Sequence, residues 1–182
     1  MKPELQEKVR SIGAKKVNIF NSEQPFLSDE EIRNLNIPKG TLLPDEREII
    51  NDHIVITIEM LEQLPYPKNL KNIPEFAGGH HEKMDGTGYP KGLNESQMST
   101  QAKIMAIADI YEALTAADRP YKEGKKLSQA MRIMGFMKND YHIDEELFEI
   151  FVTSGVYREY AEKHVAKTQI DEVDEKSVLG KE

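Results

Sequence analysis

The 182-residue sequence contains no cysteine, which excludes disulfides, thiolate nucleophiles, Cys-ligated zinc and iron–sulfur clusters. Any metal ion must therefore be held by histidine and carboxylates. Long apolar runs are also missing: Ile54–Ile58 and Ile104–Ala108 are the longest, far short of the ~18 residues a spanning helix needs. Met1-Lys2-Pro3-Glu4 does not open a signal peptide. These absences lead to the expectation of a soluble, cytoplasmic protein with no membrane contact from this chain. Positive charge is in deficit, with 24 Lys and Arg against 32 Asp and Glu and a net charge of −8. A module that grips duplex nucleic acid needs a basic footprint for the phosphates, so duplex nucleic acid is not an expected partner. A small phosphorylated ligand stays open where divalent ions reverse the local field. Hydrophobic residues make up 38%, which points to a single domain with a thin core.

Glycine and proline punctuate the chain into helical patterns, and no stretch keeps a period of two. The fold class is therefore all-α. Residues 1–44 form a peripheral N-terminal segment with short helical candidates at Glu4–Ser11 and Ser28–Leu35, residues 45–165 a helical core, and residues 166–182 an acid-rich polar tail. Pro44-Asp45 opens a helix running to Leu64, whose stripe of Ile50, His53, Ile54, Thr57, Ile58, Leu61 and Leu64 turns His53 inward. Ile73–Lys83 is compatible with a short helix carrying Gly78, Gly79, His80 and His81. Glycine inside a helix costs ~1 kcal/mol relative to alanine, so close backbone packing beside the histidines is expected. Asp85 to Leu93 is turn chemistry, with Tyr89 extended ahead of Pro90.

Ser99 or Thr100 caps the clearest helix, about Gln101 to Ala117, with Ile104, Ile107, Ala108, Tyr111 and Leu114 as its inner stripe and Asp109 at the border. Ser128–Lys138, Asp144–Thr153 and Val156–Val165 follow as helices, their methionine and phenylalanine stripes read as core.

Three of the five histidines, His53, His80 and His81, take inward or site-facing positions. A lone histidine on an apolar face is most often a hydrogen-bonded core residue, and His142 and His164 are read that way. The adjacent pair beside two glycines and an Asp-Gly turn points to metal or catalysis. Neighbouring residues on a helix project ~100° apart, so His80 and His81 would serve two ions or two sides of one. Divalent ions ~3.5–4 Å apart clamp the attacking and leaving oxygens of a phosphodiester. Imidazole with carboxylate suits iron, manganese or zinc, and Asp109 is the candidate carboxylate.

The stretch His80-His81-Glu82-Lys83-Met84-Asp85-Gly86-Thr87-Gly88-Tyr89-Pro90 resembles the HHExxDGxGYP signature of HD-GYP proteins. These are HD-superfamily phosphodiesterases of bacterial signalling that hydrolyse cyclic di-GMP. The likeness runs from about Leu42 to Phe151 and takes in Asp52-His53, Ala108-Asp109-Ile110, Ala113-Leu114-Thr115 and Arg119-Pro120-Tyr121-Lys122. The resemblance implies an HD-superfamily helical bundle in which His53, His80, His81 and Asp109 are metal ligands and Glu82 supports them. It further implies that Asp85, Gly86, Gly88, Tyr89 and Pro90 wall the nucleotide site, that Arg119, Tyr121 and Lys122 approach the phosphates and bases, and that Arg119 and Lys122 have the catalytic charge-stabilising role.

In that family an N-terminal half supplies an earlier histidine, a His-Asp pair and a lysine, whereas no histidine precedes His53 here. The resemblance is therefore to the C-terminal part of an HD-GYP domain, with half of a metal site. A hydrolase whose second ion depends on the missing half or a partner chain is the first reading. The other is a non-catalytic module that binds cyclic di-GMP or docks a GGDEF-type cyclase through the Asp85–Leu93 loop. Apolar surface left uncovered by the absent helices would favour a homo-oligomer.

Overall fold

Side-chain caps set several of the helix starts. The computed structural model describes residues 1–19, 21–116 and 124–180, and its two compact units are Met1–Ile50 and Asn51–Glu182. In the first unit, α1 (Pro3–Gly13) precedes a hairpin of β1 (Lys16–Ile19) and β2 (Ser22–Pro25), then α2 (Asp29–Leu35) and the start of α3 (Pro44–Asn51). Ser28 Oγ accepts from Glu31 N–H at 3.2 Å while the Glu31 carboxylate accepts from Ser28 N–H at 2.8 Å, a reciprocal cap that satisfies two otherwise orphaned donors. The hairpin, paired from Lys16↔Pro25 to Ile19↔Ser22, lies between the two helical candidates, where the sequence keeps no period of two. Every β2 side chain is exposed, so no apolar alternation marked the strand in the sequence.

The second unit holds α4 (His53–Glu62), α5 (Ile73–Gly78), α6 (Thr100–Thr115), α7 (Leu127–Asn139), α8 (Glu145–Thr153), α9 (Val156–His164) and α10 (Glu175–Leu179). The single helix expected from Pro44 to Leu64 is divided at Asp52, whose φ of −64° and ψ of −16° tighten the chain toward a 3₁₀ turn. Ser99 caps α6 by accepting from Ala102 N–H at 3.2 Å, and Asp144 caps α8 by accepting from Leu147 N–H at 3.0 Å.

The main core packs α6 to α10 around Leu127, Met131, Met134, Phe148, Val152 and Tyr157, with Tyr111 entering from α6. The methionine stripe is core, as its spacing indicates. Tyr111 stays satisfied there because its hydroxyl donates to the Tyr157 carbonyl at 2.7 Å, and burial pushes its phenol up to about 12. The acid-rich end is not a free tail. Val173 joins the core cluster, Gln169 Nε2 donates to the Thr115 and Lys125 carbonyls at 2.9 Å each, and the Tyr157 hydroxyl donates to Glu175 at 2.8 Å. One valine among carboxylates gives no periodic signal, which is why the composition of that segment understates its packing.

Along α6 the buried residues are Ala102, Ala106, Ile107, Tyr111 and Thr115. Ile104, expected inside, is 50% exposed, and Ala108 is exposed as well. The apolar stripe of α6 is wider than the face its neighbours cover, and small alanines occupy the covered side. A second, smaller cluster of Met84, Met98 and Ala102, with Leu93 packed against it, lies beneath the 85–93 loop.

Candidate metal centre

Two glycines bring the histidines together. α5 ends at Gly78 with Gly79 as its cap. A Cβ on Gly78 would lie 2.6 Å from the Ile58 side chain of α4, and one on Gly79 would lie 2.8 Å from Ala102 Cβ of α6. Their missing side chains let the end of α5 lodge against both α4 and α6, the close packing the sequence suggested. His80 and His81 consequently sit in the turn beyond the helix rather than on it. The ~100° separation expected of helical neighbours no longer applies, and their ring centroids are 4.1 Å apart.

One donor atom from each of His53, His80 and His81 lies within 4.8 Å of the other two. The Nε2 atoms of His53 and His81 are 3.3 Å apart, close to the roughly 3.3–3.4 Å between two nitrogens bound at 2.0–2.1 Å on a tetrahedral ion. His80 Nδ1 donates to the Ala77 carbonyl at 2.6 Å, which fixes the tautomer and leaves Nε2 with its lone pair, an arrangement typical of metal-binding imidazole. Burial, then the neighbouring charges of His80 and His53, lowers the His81 imidazole to about 4 against the opposing charge of Asp109. His81 is therefore neutral at pH 7 and able to bind a cation without first losing a proton. The donor set fits a divalent transition metal.

Asp109 does not join the three converging donors. It lies exposed on α6 and lines, with His80, a cleft of about 870 Å³ whose apolar wall includes Ile104, Met105, Ile150 and Tyr160. The sequence reading missed this cleft because it assigned Ile104 and Ala108 to the core. His53, expected inward, is exposed by area, since the start of α4 is little covered and only Ile54 of that helix is buried. His142, half-buried, stays outside the histidine group.

The loop after the histidines is built by its own hydrogen bonds. Asp85 Oδ1 accepts from Thr87 N–H at 2.9 Å and from the Thr87 hydroxyl at 2.8 Å, bonds that hold its carboxyl below the ordinary range. Gly86 at φ +78° and Gly92 at φ +65° take left-handed angles that favour glycine. A Cβ on Gly88 would lie 2.4 Å from Glu82 Cα, so the loop folds directly onto the histidine segment. Glu82, which the resemblance gives as a support of the ligands, is 1% exposed, and its oxygens accept from Lys91 and Leu93 N–H at 2.7 and 2.8 Å; that it holds the loop is what the motif alone did not reveal. Tyr89 N–H donates to the His81 carbonyl at 3.2 Å, and the Tyr89 ring stacks on His81 with centroids 4.8 Å apart at 23°. Burial, and then the charge of Asp109, raises the Tyr89 phenol above its ordinary value. Pro90 is half-buried beside it. Arg119, Tyr121 and Lys122 lie outside the described residues.

Known proteins resemble this chain over much of its length. The HD domain family model matches residues 29–147. Over 121 residues the chain is 40% identical to a cyclic di-GMP phosphodiesterase of Thermotoga maritima, covering 63% of this chain and 32% of that protein. A 3'3'-cGAMP-specific phosphodiesterase 3 of Vibrio cholerae is 37% identical over 111 residues, covering 60% of this chain and 23% of its own length. A cyclic di-GMP phosphodiesterase of Pseudomonas aeruginosa is 44% identical over 79 residues, which is 43% of this chain and 18% of that protein. The chain thus spans about a fifth to a third of the length of these relatives. With the family match over most of its length, an all-α bundle and a histidine cluster formed by the HHExxDGxGYP segment and α4, the chain belongs to the HD-domain family and is of the HD-GYP type.

Proposed function

We propose that this chain is the metal-binding part of a bacterial signalling phosphodiesterase that hydrolyses a cyclic dinucleotide, cyclic di-GMP above all. The observation that carries this reading is the convergence of His53, His80 and His81 within 4.8 Å, immediately before a loop folded against His81. His53, His80 and His81 would hold a divalent ion, iron, manganese or zinc, with Asp109 of α6, which stands outside their convergence, as the proposed fourth ligand. Such an ion, when bound, supplies Lewis acidity at a phosphoryl oxygen and lowers the pKa of water. The chain's own groups do the rest. His80, anchored on Ala77, and His81, kept neutral, present fixed lone pairs. Arg119 and Lys122 offset negative charge developing on phosphorus, Tyr121 stacks on a base, and the loop from Asp85 through Gly86, Gly88, Tyr89 and Pro90 walls the nucleotide.

Four donors serve one ion, and a second ion needs more. The isolated chain is therefore expected to bind metal yet hydrolyse cyclic di-GMP slowly, and to gain turnover when an N-terminal half or a partner chain supplies the remaining ligands. The same deficit leaves apolar surface open beside Asp109, which supports self-association. Metal content and hydrolysis measured on the purified chain, alone and with the complementary part added, test this reading. Robust turnover by pure monomer refutes the half-site argument, and absence of bound metal after reconstitution refutes the metal centre.

One observation supports a non-catalytic module instead. Hydrogen bonds accepted by the Glu82 and Asp85 carboxylates hold the 85–93 loop by its own groups, so the loop can keep its shape to bind cyclic di-GMP or a GGDEF-type cyclase. Titration of cyclic di-GMP, and of a GGDEF domain, into chelator-treated protein separates the readings, because the module binds with the metal removed and the hydrolase does not.

A further inference from the structure

We infer that Tyr89 is a positioning residue of the metal centre: Glu82, whose support of the ligands the family resemblance already implies, pins the 85–93 loop through its buried carboxylate, and the pinned loop holds the Tyr89 ring against His81 so that its imidazole is aimed before an ion arrives. This rests on reading His53, His80 and His81 as metal ligands. Glu82 follows His81 directly, yet both its oxygens reach across to the far side of the loop, to the amides of Lys91 and Leu93. From the near side the loop tip lies on the same segment, where a Cβ at Gly88 would meet Glu82 Cα at 2.4 Å and Lys83 N at 2.5 Å. Tyr89 N–H closes the grip on the His81 carbonyl.

The segment 81–83 is thus held by the loop through a carbonyl, a backbone contact and a buried carboxylate. The Tyr89 ring then packs over His81 at 4.8 Å and 23°, while His53 meets His81 edge-on at 5.2 Å and 77°. An imidazole enclosed by rings has few alternative rotamers to lose on binding a cation, and partners that orient a ligand in this way change metal affinity by ~10–100-fold when removed. In this account Tyr89 acts through its ring face, so phenylalanine can replace it and leucine cannot.

The experiment compares the full chain with its Tyr89→Phe, Tyr89→Leu and Glu82→Gln variants, reading Zn²⁺ affinity by calorimetry and the His81 ring resonances by NMR in metal-free protein. Zn²⁺ affinity should change less than about twofold in Tyr89→Phe and fall ~10–100-fold in Tyr89→Leu and Glu82→Gln, with helical content retained. The His81 ring signal, displaced by the tyrosine ring current, should shift in Tyr89→Leu and also in Glu82→Gln, where the tyrosine is still present. Unchanged affinity in Tyr89→Leu, or unchanged affinity together with an unmoved His81 signal in Glu82→Gln, overturns the inference. If Glu82→Gln does not fold, the contrast between Tyr89→Phe and Tyr89→Leu decides it. If the parent protein binds no Zn²⁺, the metal reading fails, while the metal-free spectra still support or overturn the positioning of His81.

Discussion

Gly79→Ala is the substitution whose effect can be worked most directly from the packing of α5 on α6. The added methyl would lie 2.8 Å from Ala102 Cβ and 3.3 Å from the Glu75 carbonyl oxygen, whereas carbons pack best at ~3.5–4.0 Å. Ala102 is 0% exposed and has no flexible end to yield, so the two segments must part by roughly 1 Å. Overpacking of this kind costs ~1–3 kcal/mol. Because Gly79 has φ −92° and ψ −3°, alanine fits the backbone and returns ~0.4–1 kcal/mol through the unfolded state. The net loss is about 1–2 kcal/mol, or ~2–8 °C in melting temperature for a chain of this size. The displacement matters more at the next residues, since His80 and His81 follow and metal sites tolerate only ~0.2 Å in ligand distance. Zn²⁺ affinity should fall at least ~10-fold. Melting by circular dichroism and Zn²⁺ calorimetry provide the assay, with Ala102→Gly added as a second-site change that restores the space and should recover metal affinity, while melting recovers little because glycine inside α6 itself costs ~1 kcal/mol. A Gly79→Ala protein with unchanged melting temperature and metal affinity refutes the reasoning, as does a double variant that binds metal no better than the single one.

Three further outcomes are expected. Asp144 is buried, which would raise its pKa, but Leu147 N–H, the hydrogen bond from Lys103 at 2.9 Å and the Lys103 charge together outweigh burial and leave it below the ordinary 3.8. Its contribution to stability is therefore complete above about pH 4 and is lost as pH falls through the lower folded value. Asp144→Asn should cost ~1–3 kcal/mol at pH 7 and flatten the acid limb of a stability-versus-pH curve, and an unaltered limb contradicts this. Tyr111→Phe removes a buried donor to the Tyr157 carbonyl and should lower stability by ~0.5–1.5 kcal/mol without changing metal affinity. Metal at 100 times its Kd stabilises the folded state by ~2.7 kcal/mol, so chelation should lower the melting temperature by ~5–11 °C, and a midpoint indifferent to chelator contradicts a structural ion.

Helices α7 and α8 were legible because each carries a strong apolar stripe, Met131 with Met134 and Phe148 with Val152, and α8 starts at the Asp144 cap. Ser28 and Ser99 marked helix starts by the same chemistry. The hairpin around 16–25 was not legible, since its strands meet through backbone bonds and every β2 side chain is exposed. The histidines were picked out by type and spacing, and the tight seat of Gly78 and Gly79 by their helix-breaking cost. That the same glycines end α5, and so let His80 and His81 approach one another, depends on the tertiary contacts with Ile58 and Ala102. Ile104 was assigned inward because periodicity gives an apolar face but not how much of it the neighbours cover. The direction of the Glu82 carboxylate was out of reach for a related reason, as it depends on a loop folding back from Lys91 and Leu93.

The central claim is that His53, His80 and His81 form one metal site. Metal stoichiometry of the purified, Zn²⁺-reconstituted chain, measured by elemental analysis beside His53→Ala, His80→Ala and His81→Ala variants of intact helicity, tests it most directly. The account predicts one tightly bound ion per chain, lost or weakened by at least ~10-fold in each variant. A chain that retains no metal, or one whose metal content survives all three substitutions, would contradict it.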